Sequence, residues 1–192
     1  MKQNKIAIFG GTFDPVHNGH LITCQSVLEE RKLDKVVFIP THISPLKQNY
    51  KPTPDIHRLE MLKLAIDSNP NFTVSDIELK RENVSYTIDT ILELKNKYSE
   101  IELIIGYDNL LLFEKWREPD RIVSEVKLLV MKRISEVKEE RNRYFDKSIF
   151  LDNPIIEISS SQIRERIKNN LPVDYLLPDS VHKYIIQQKL YR

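Results

Sequence analysis

Glycine is scarce in this chain. Four occur among 192 residues, where ordinary usage near ~7 % would place roughly thirteen. Cysteine occurs once, at Cys24, which rules out an internal disulfide and a zinc site built on several thiolates. No uninterrupted apolar run approaches the ~20 residues a membrane-spanning helix needs. The short apolar run after Lys5 does not have the length of a signal peptide. Neither sign of charge dominates: the formal net charge is +1, which gives no global reason to expect nucleic acid or a membrane surface as partner. The composition predicts a cytoplasmic protein of one domain, residues 1–192, long enough to bury a real core. Nothing in it excludes a homo-oligomer.

What glycine there is lies together. Three of the four fall in Gly10-Gly11-Thr12-Phe13-Asp14-Pro15-Val16-His17-Asn18-Gly19-His20. This stretch follows the apolar run Ile6-Ala7-Ile8-Phe9 and leads into a helical pattern. It reads as a strand, a tight loop and a helix N-terminus, a natural place for a phosphate. The stretch has neither the Gly-Lys-Ser/Thr ending of a P-loop nor a GxGxxG pattern. It offers backbone N–H groups at Gly10 and Gly11 instead, then His17 and His20 beside the positive end of the helix. A neutral imidazole there still donates one N–H to a phosphate oxygen. Gly19 is expected to let a ligand approach the first turn. No acid or third histidine stands at a spacing that would make the pair a metal site.

Strand-length apolar runs alternate with helix-period segments along the rest of the chain. Strands are expected at Ile6 to Phe9, Val36 to Ile39, Phe72 to Leu79, Leu103 to Ile105, Val126 to Met131 and Ile155 to Ile158. Helices are expected from Gly19 to Arg31, after Thr53-Pro54-Asp55, after a Ser85 cap, from Pro119, after a Ser160 or Ser161 cap, and after Pro178. The charged segment from Glu136 to Arg143 reads as a solvated helix or loop. Strands this apolar, separated by helices, indicate an α/β fold. It is Rossmann-like and doubly wound, with a mainly parallel sheet, helices on both faces and a helical C-terminal end. Ligands on such sheets bind outside the carboxyl ends of the strands, where both Gly10-Gly11 and Gly106 fall.

The glycine loop, with His17-x-Gly19-His20, resembles the (T/H)xGH signature of a nucleotidyltransferase superfamily. Ile158-Ser159-Ser160-Ser161-x-Ile163-Arg164 is similar to the ISSTxIR signature of the same group. The two stand in the expected order about 140 residues apart. Pro45-Leu46-Lys47, Ser85-Tyr86-Thr87, Gly106-Tyr107-Asp108 with Trp116, and Tyr175-Leu176-Leu177-Pro178 narrow the resemblance. Together they look like the bacterial nicotinate mononucleotide adenylyltransferases, over essentially the whole chain. Two positions depart from that pattern: Leu46, where the family often has histidine, and Tyr107, where it often has alanine.

The resemblance implies adenylyl transfer from ATP to nicotinate mononucleotide, giving deamido-NAD and pyrophosphate in NAD biosynthesis, with no covalent enzyme intermediate. It implies that His17, His20 and Arg164 act on the phosphates. ATP would lie against Gly10, Gly11, Thr12, Phe13, Gly19, Gly106, Asp108, Ser159 and Ser160. Asp108 would take a ribose hydroxyl or, on its local pattern alone, cap a helix. The acceptor would lie against Lys47, Tyr86, Thr87, Trp116 and Arg117. An indole suits a cationic pyridinium ring, although a core tryptophan is the plainer reading of Trp116 taken by itself. Mg2+ is expected with ATP, held mainly by phosphate oxygens and water. Another acceptor, such as nicotinamide mononucleotide or phosphopantetheine, and a non-catalytic nucleotide-binding regulator stay open as alternatives.

Overall fold

The computed structural model describes residues 5–45, 51–81, 84–132 and 141–192. Its first half contains β1 (Lys5–Gly11), α1 (Asn18–Glu30), β2 (Lys35–Pro40), α2 (Asp55–Ile66), β3 (Phe72–Val74) and α3 (Thr87–Leu94). There follow β4 (Glu100–Gly106), α4 (Tyr107–Leu111), α5 (Pro119–Glu125), β5 (Lys127–Met131), β6 (Ser148–Phe150), α6 (Ser160–Lys168) and α7 (Asp179–Gln187).

Successive side chains on a strand point to opposite faces, and here both faces are apolar. Ala7 and Phe9 of β1, with Val36 and Phe38 of β2, pack under α1, α2, α6 and α7 through Cys24, Val27, Met61, Leu62, Ile163, Val181 and Ile185. Ile6 and Ile8, with Val37 and Ile39, pack on the other side against Ile88 and Ile91 of α3, Leu110 of α4 and Ile122 of α5. Strands buried on both faces are the ones that read as unbroken apolar runs.

All pairings among the described strands are parallel, in the order β3-β2-β1-β4-β5-β6. The winding reverses between β1 and β4, which are hydrogen-bonded neighbours with Phe9 opposite Ile104. The loops leaving their carboxyl ends therefore diverge and open a crevice at that point. Low on β4, Glu102 is fully buried and takes a fork from Arg31 at 3.0 and 2.8 Å. Burial would raise this carboxyl; Arg31, with Lys5 and Lys127, outweighs it and holds it below the ordinary range.

Several expected boundaries move. The third strand stops at Val74, because β2 ends at Pro40, which has no N–H to extend the ladder, and Leu79–Arg81 is a 3-10 turn. Ile155 to Ile158 is not a strand. The sixth strand lies earlier, at Ser148–Phe150 beside Leu128–Val130, and Asn153-Pro154 separates the two runs. The helix after Ser85 begins at Thr87 with Tyr86 at its N-cap, since the Ser85 hydroxyl accepts from the His42 N–H at 3.1 Å. Thr53 likewise stands one residue outside α2, whose N-cap is Pro54. Most of the charged 136–143 segment lies outside the described residues.

Candidate active site

The loop from Gly11 to His17 turns sharply at Phe13, whose backbone is left-handed with φ 50°. A side chain on Gly11 would place its Cβ 3.0 Å from the Phe13 ring, so glycine is what lets that ring fold back beneath the strand end. The ring is buried and meets His20 edge-on, with centroids 5.2 Å apart. Phe13 can thus offer a ligand only its backbone. Gly10 faces open space, with nothing within 4 Å of where a Cβ would be.

Four donors from distant parts of the chain hold the next two residues. Arg164 Nη1 donates to the Asp14 carbonyl at 2.7 Å, and Ser160 Oγ to the Pro15 carbonyl at 2.8 Å. The Asp14 carboxylate accepts the Thr53 N–H at 3.1 Å and the Tyr191 hydroxyl at 2.6 Å. The Asp14–Pro15 peptide is cis. Two residues before Asp14, the fully buried Arg58 donates to the Thr12 carbonyl at 2.7 Å; it also donates to the Thr53 carbonyl at 2.9 Å and pairs with Asp55. A buried guanidinium survives only when paired and hydrogen-bonded, and here its partners join the loop to the start of α2.

His17 is the N-cap of α1. Its ring stacks on that of His20, with centroids 3.6 Å apart and planes at 24°. The His17 backbone N–H donates to His20 Nδ1 at 3.2 Å. While Nδ1 accepts in this way, the proton of the neutral His20 ring sits on Nε2, which is then the donor. Gly19 also leaves room for the His17 ring: a Cβ there would stand 3.1 Å from His17 Nδ1 and 3.5 Å from Ile156. Asn18 fastens the start of α1 to the C-terminal part of the chain, its N–H to Leu176 at 2.9 Å and its amide to Tyr175 at 2.8 Å.

The serine run behaves differently from the expected cap. Ser159 caps α6 by accepting from the Gln162 N–H at 3.2 Å, and Gln162 returns the bond to the Ser159 N–H. That releases the Ser160 hydroxyl to reach Pro15. The amino ends of α1 and α6 are consequently tied to one loop, where both helices set their positive dipole ends.

The remaining expected residues form a second group. Gly106 ends β4 and is the N-cap of α4, with Asp108 exposed in its first turn. The Tyr107 ring turns into the second core layer and meets Phe145 edge-on at 5.8 Å. Tyr86 and Thr87 open α3, and the Arg117 guanidinium lies 4.7 Å over the Tyr86 ring while pairing with Asp89 at 3.7 Å. Trp116 is half-buried, leans on Phe113 at 5.0 Å, and its Nε1–H is buried without a partner among the described residues. Lys47 and Leu46 lie outside the described residues. Among the described residues no group of three or more His, Cys, Asp or Glu side chains converges to hold a metal ion, and no helix is long and apolar enough to cross a membrane.

Sequence reasoning missed Arg58, which holds the Thr12 carbonyl, and Tyr191, with Asp14 as its target. Asp14 was visible inside the first signature; an arginine in an amphipathic helix and a tyrosine next to the chain end carry no local signal. It also missed Glu78, buried below the start of α3, which accepts from the Thr90 hydroxyl at 2.8 Å. Burial pushes that carboxyl up, against hydroxyl donors from Thr90, Ser85 and Thr41.

Residues 8–166 match the family described as cytidylyltransferase-like, the class that this fold and this doubly tied loop define. The nicotinate-nucleotide adenylyltransferase of Bacillus subtilis is 44% identical over 189 residues, covering 97% of this chain and 98% of that protein. The chain belongs to the nicotinate-nucleotide adenylyltransferase family. Among solved structures, the Plasmodium falciparum nicotinic acid mononucleotide adenylyltransferase complexed with NaAD superposes with a TM-score of 0.79. The match covers 98% of both chains at 19% identity, a likeness of fold alone. The same parasite enzyme complexed with APC gives 0.78.

Proposed function

We propose that this protein is a cytoplasmic enzyme that transfers the adenylyl group of MgATP to nicotinate mononucleotide, forming deamido-NAD and pyrophosphate for NAD biosynthesis. The observation that carries this reading is the single loop at the switch point. It binds the His17–His20 pair to Ser160 and Arg164, so two helix amino ends converge where a polyphosphate would lie.

In the reaction an oxygen of the acceptor phosphate bonds to the α-phosphorus of ATP. The bond from that phosphorus to the oxygen bridging to the β-phosphate breaks, and its electron pair leaves with pyrophosphate. The attacking phosphate is already ionised at neutral pH, so no general base is needed. Catalysis then consists of alignment and stabilisation of charge on the transferring group. His20 Nε2–H suits the α-phosphate, with its ring held by His17. The first turn of α6, with Ser159, Ser160 and Arg164, suits the β- and γ-phosphates. Gly10, Gly11, Thr12 and the Phe13 backbone line the loop, and Gly106 and Asp108 face the ribose. Magnesium arrives as part of the nucleotide substrate, coordinated by phosphate oxygens and water.

On the acceptor side, the indole of Trp116 offers a face to the pyridinium ring. Thr87 and the Arg117 N–H offer donors to its carboxylate, a group the amide analogue lacks. Tyr86 and Lys47 complete that side. The test is pyrophosphate release by the purified protein with MgATP and each acceptor in turn. Release with nicotinate mononucleotide well above that with nicotinamide mononucleotide or phosphopantetheine is expected. Equal or greater turnover with the amide overturns the acid preference, and nucleotide binding without release under every acceptor leaves a regulator.

A further inference from the structure

The last residues of the chain reach the loop that carries the histidines. After α7 the backbone bends through two left-handed residues, Lys189 with φ 52° and Tyr191 with φ 66°. Such conformations in non-glycine residues persist only where the surroundings hold them. The bend brings the Tyr191 hydroxyl to 2.6 Å from Asp14 Oδ1 and 4.0 Å from Met61 Sδ. Asp14 is 2% exposed, and its other carboxylate oxygen holds the Thr53 N–H.

We propose that Tyr191 is a positioning residue for the adenylyl transfer: its hydroxyl fixes the Asp14 carboxylate from behind and so sets the placement of His17 and His20. This rests on the function proposed above. The reasoning is geometric. Asp14 is three residues from His17, and its backbone oxygen is also the anchor of Arg164. A shift of the Asp14 backbone, which the held carboxylate resists, therefore moves the seat of Arg164 and the approach to the N-cap of α1 together. Burial, and next the charge of Asp14, push the Tyr191 hydroxyl well above the ordinary tyrosine range, so it stays a donor throughout the working pH range. A buried carboxylate that loses a donor keeps the cost of its desolvation, and that cost falls on the loop that carries Asp14.

The experiment compares Tyr191→Phe, which removes only the hydroxyl, with Tyr184→Phe. The latter deletes the hydroxyl that α7 places 2.9 Å from His57 Nδ1, away from the loop. Steady-state kinetics well below the melting temperature are expected to show kcat lowered about tenfold in Y191F with KM for nicotinate mononucleotide unchanged. That is short of the ~10²-fold that a 1 Å misplacement can cost. Y184F keeps wild-type kcat. In Y191F the 1H–15N signals of His17, His20 and Thr53 shift, and Asp14→Asn with Y191F lowers kcat no further than D14N alone. An unchanged kcat in Y191F, or an equal loss in Y184F, overturns the proposal. If the wild type releases no pyrophosphate at all, the function reading fails by itself. The His17, His20 and Thr53 signals then decide, and their standing still in Y191F overturns the positioning role.

Discussion

Arg164 donates to the backbone oxygen of Asp14 at 2.7 Å across 150 residues of chain. The two signatures are thus one structural object, the second holding the first. Arg164→Lys keeps the charge but loses the planar fork that allows one side chain to hold a carbonyl while facing a phosphate. A fall in kcat of ~10²-fold is expected, in the range seen on removing one transition-state donor. Pyrophosphate release at saturating substrates measures it.

Gly19→Ala separates activity from stability. The added methyl would stand 3.1 Å from His17 Nδ1, so the ring must give way and its 3.6 Å stack on His20 is disturbed. Alanine is the better helix former by up to ~1 kcal/mol. The expected result is kcat reduced about tenfold with a melting temperature within a few degrees of wild type. Full turnover in a folded G19A protein would show that the stacked pair tolerates displacement.

Trp116 is the only tryptophan, so its fluorescence tests the acceptor side proposed for it. Nicotinate mononucleotide is expected to quench it, and MgATP alone to quench it less. Trp116→Phe removes a buried donor that has no partner among the described residues, so the fold does not suffer on that account. It weakens stacking and cation–π attraction by ~0.5–1.5 kcal/mol. KM for the acceptor should rise about 2- to 10-fold, with KM for ATP unmoved.

Glu78 makes stability depend on pH with a definite sign. Burial raises its folded value above the ordinary glutamate value, so the folded state holds this proton more tightly than the unfolded one. Its contribution is full below the ordinary value and is lost as pH rises through the raised one. Glu78→Gln keeps an acceptor for the Thr90 hydroxyl and has no proton to lose. Urea midpoints of wild type and E78Q should converge at acid pH and separate towards neutrality, with E78Q the more resistant. Parallel curves would show that Glu78 is solvated when ionised.

Much of the molecule was legible because its signals are local. The strand runs are apolar on both faces, the proline at Pro119 opens its helix, and the glycine loop carries its own chemistry within eleven residues. Where local reading failed, a competing partner was responsible. Ser85 leaves its helix to accept from His42, Ser159 rather than Ser160 takes the cap because Gln162 can return the bond, and the place beside β5 is taken by Ser148–Phe150 rather than by Ile155 to Ile158. At Gly19 a neighbour that the sequence does not reveal adds a second demand, since a side chain there would crowd the His17 ring.

The sequence by itself determined the class of fold and the chemical character of the loop, since the period of apolar residues and a strand–loop–helix junction are properties of neighbouring residues. The tertiary structure alone decided the order β3-β2-β1-β4-β5-β6, which sets the Gly10-Gly11 and Gly106 ends on either side of one crevice. It also decided what holds the loop: Arg58, Arg164 and Tyr191 converge from 46, 150 and 177 residues away. Parallel pairing and buried long-range hydrogen bonds join segments whose separation in sequence leaves no periodic trace. Only the folded chain brings such donors to their acceptors.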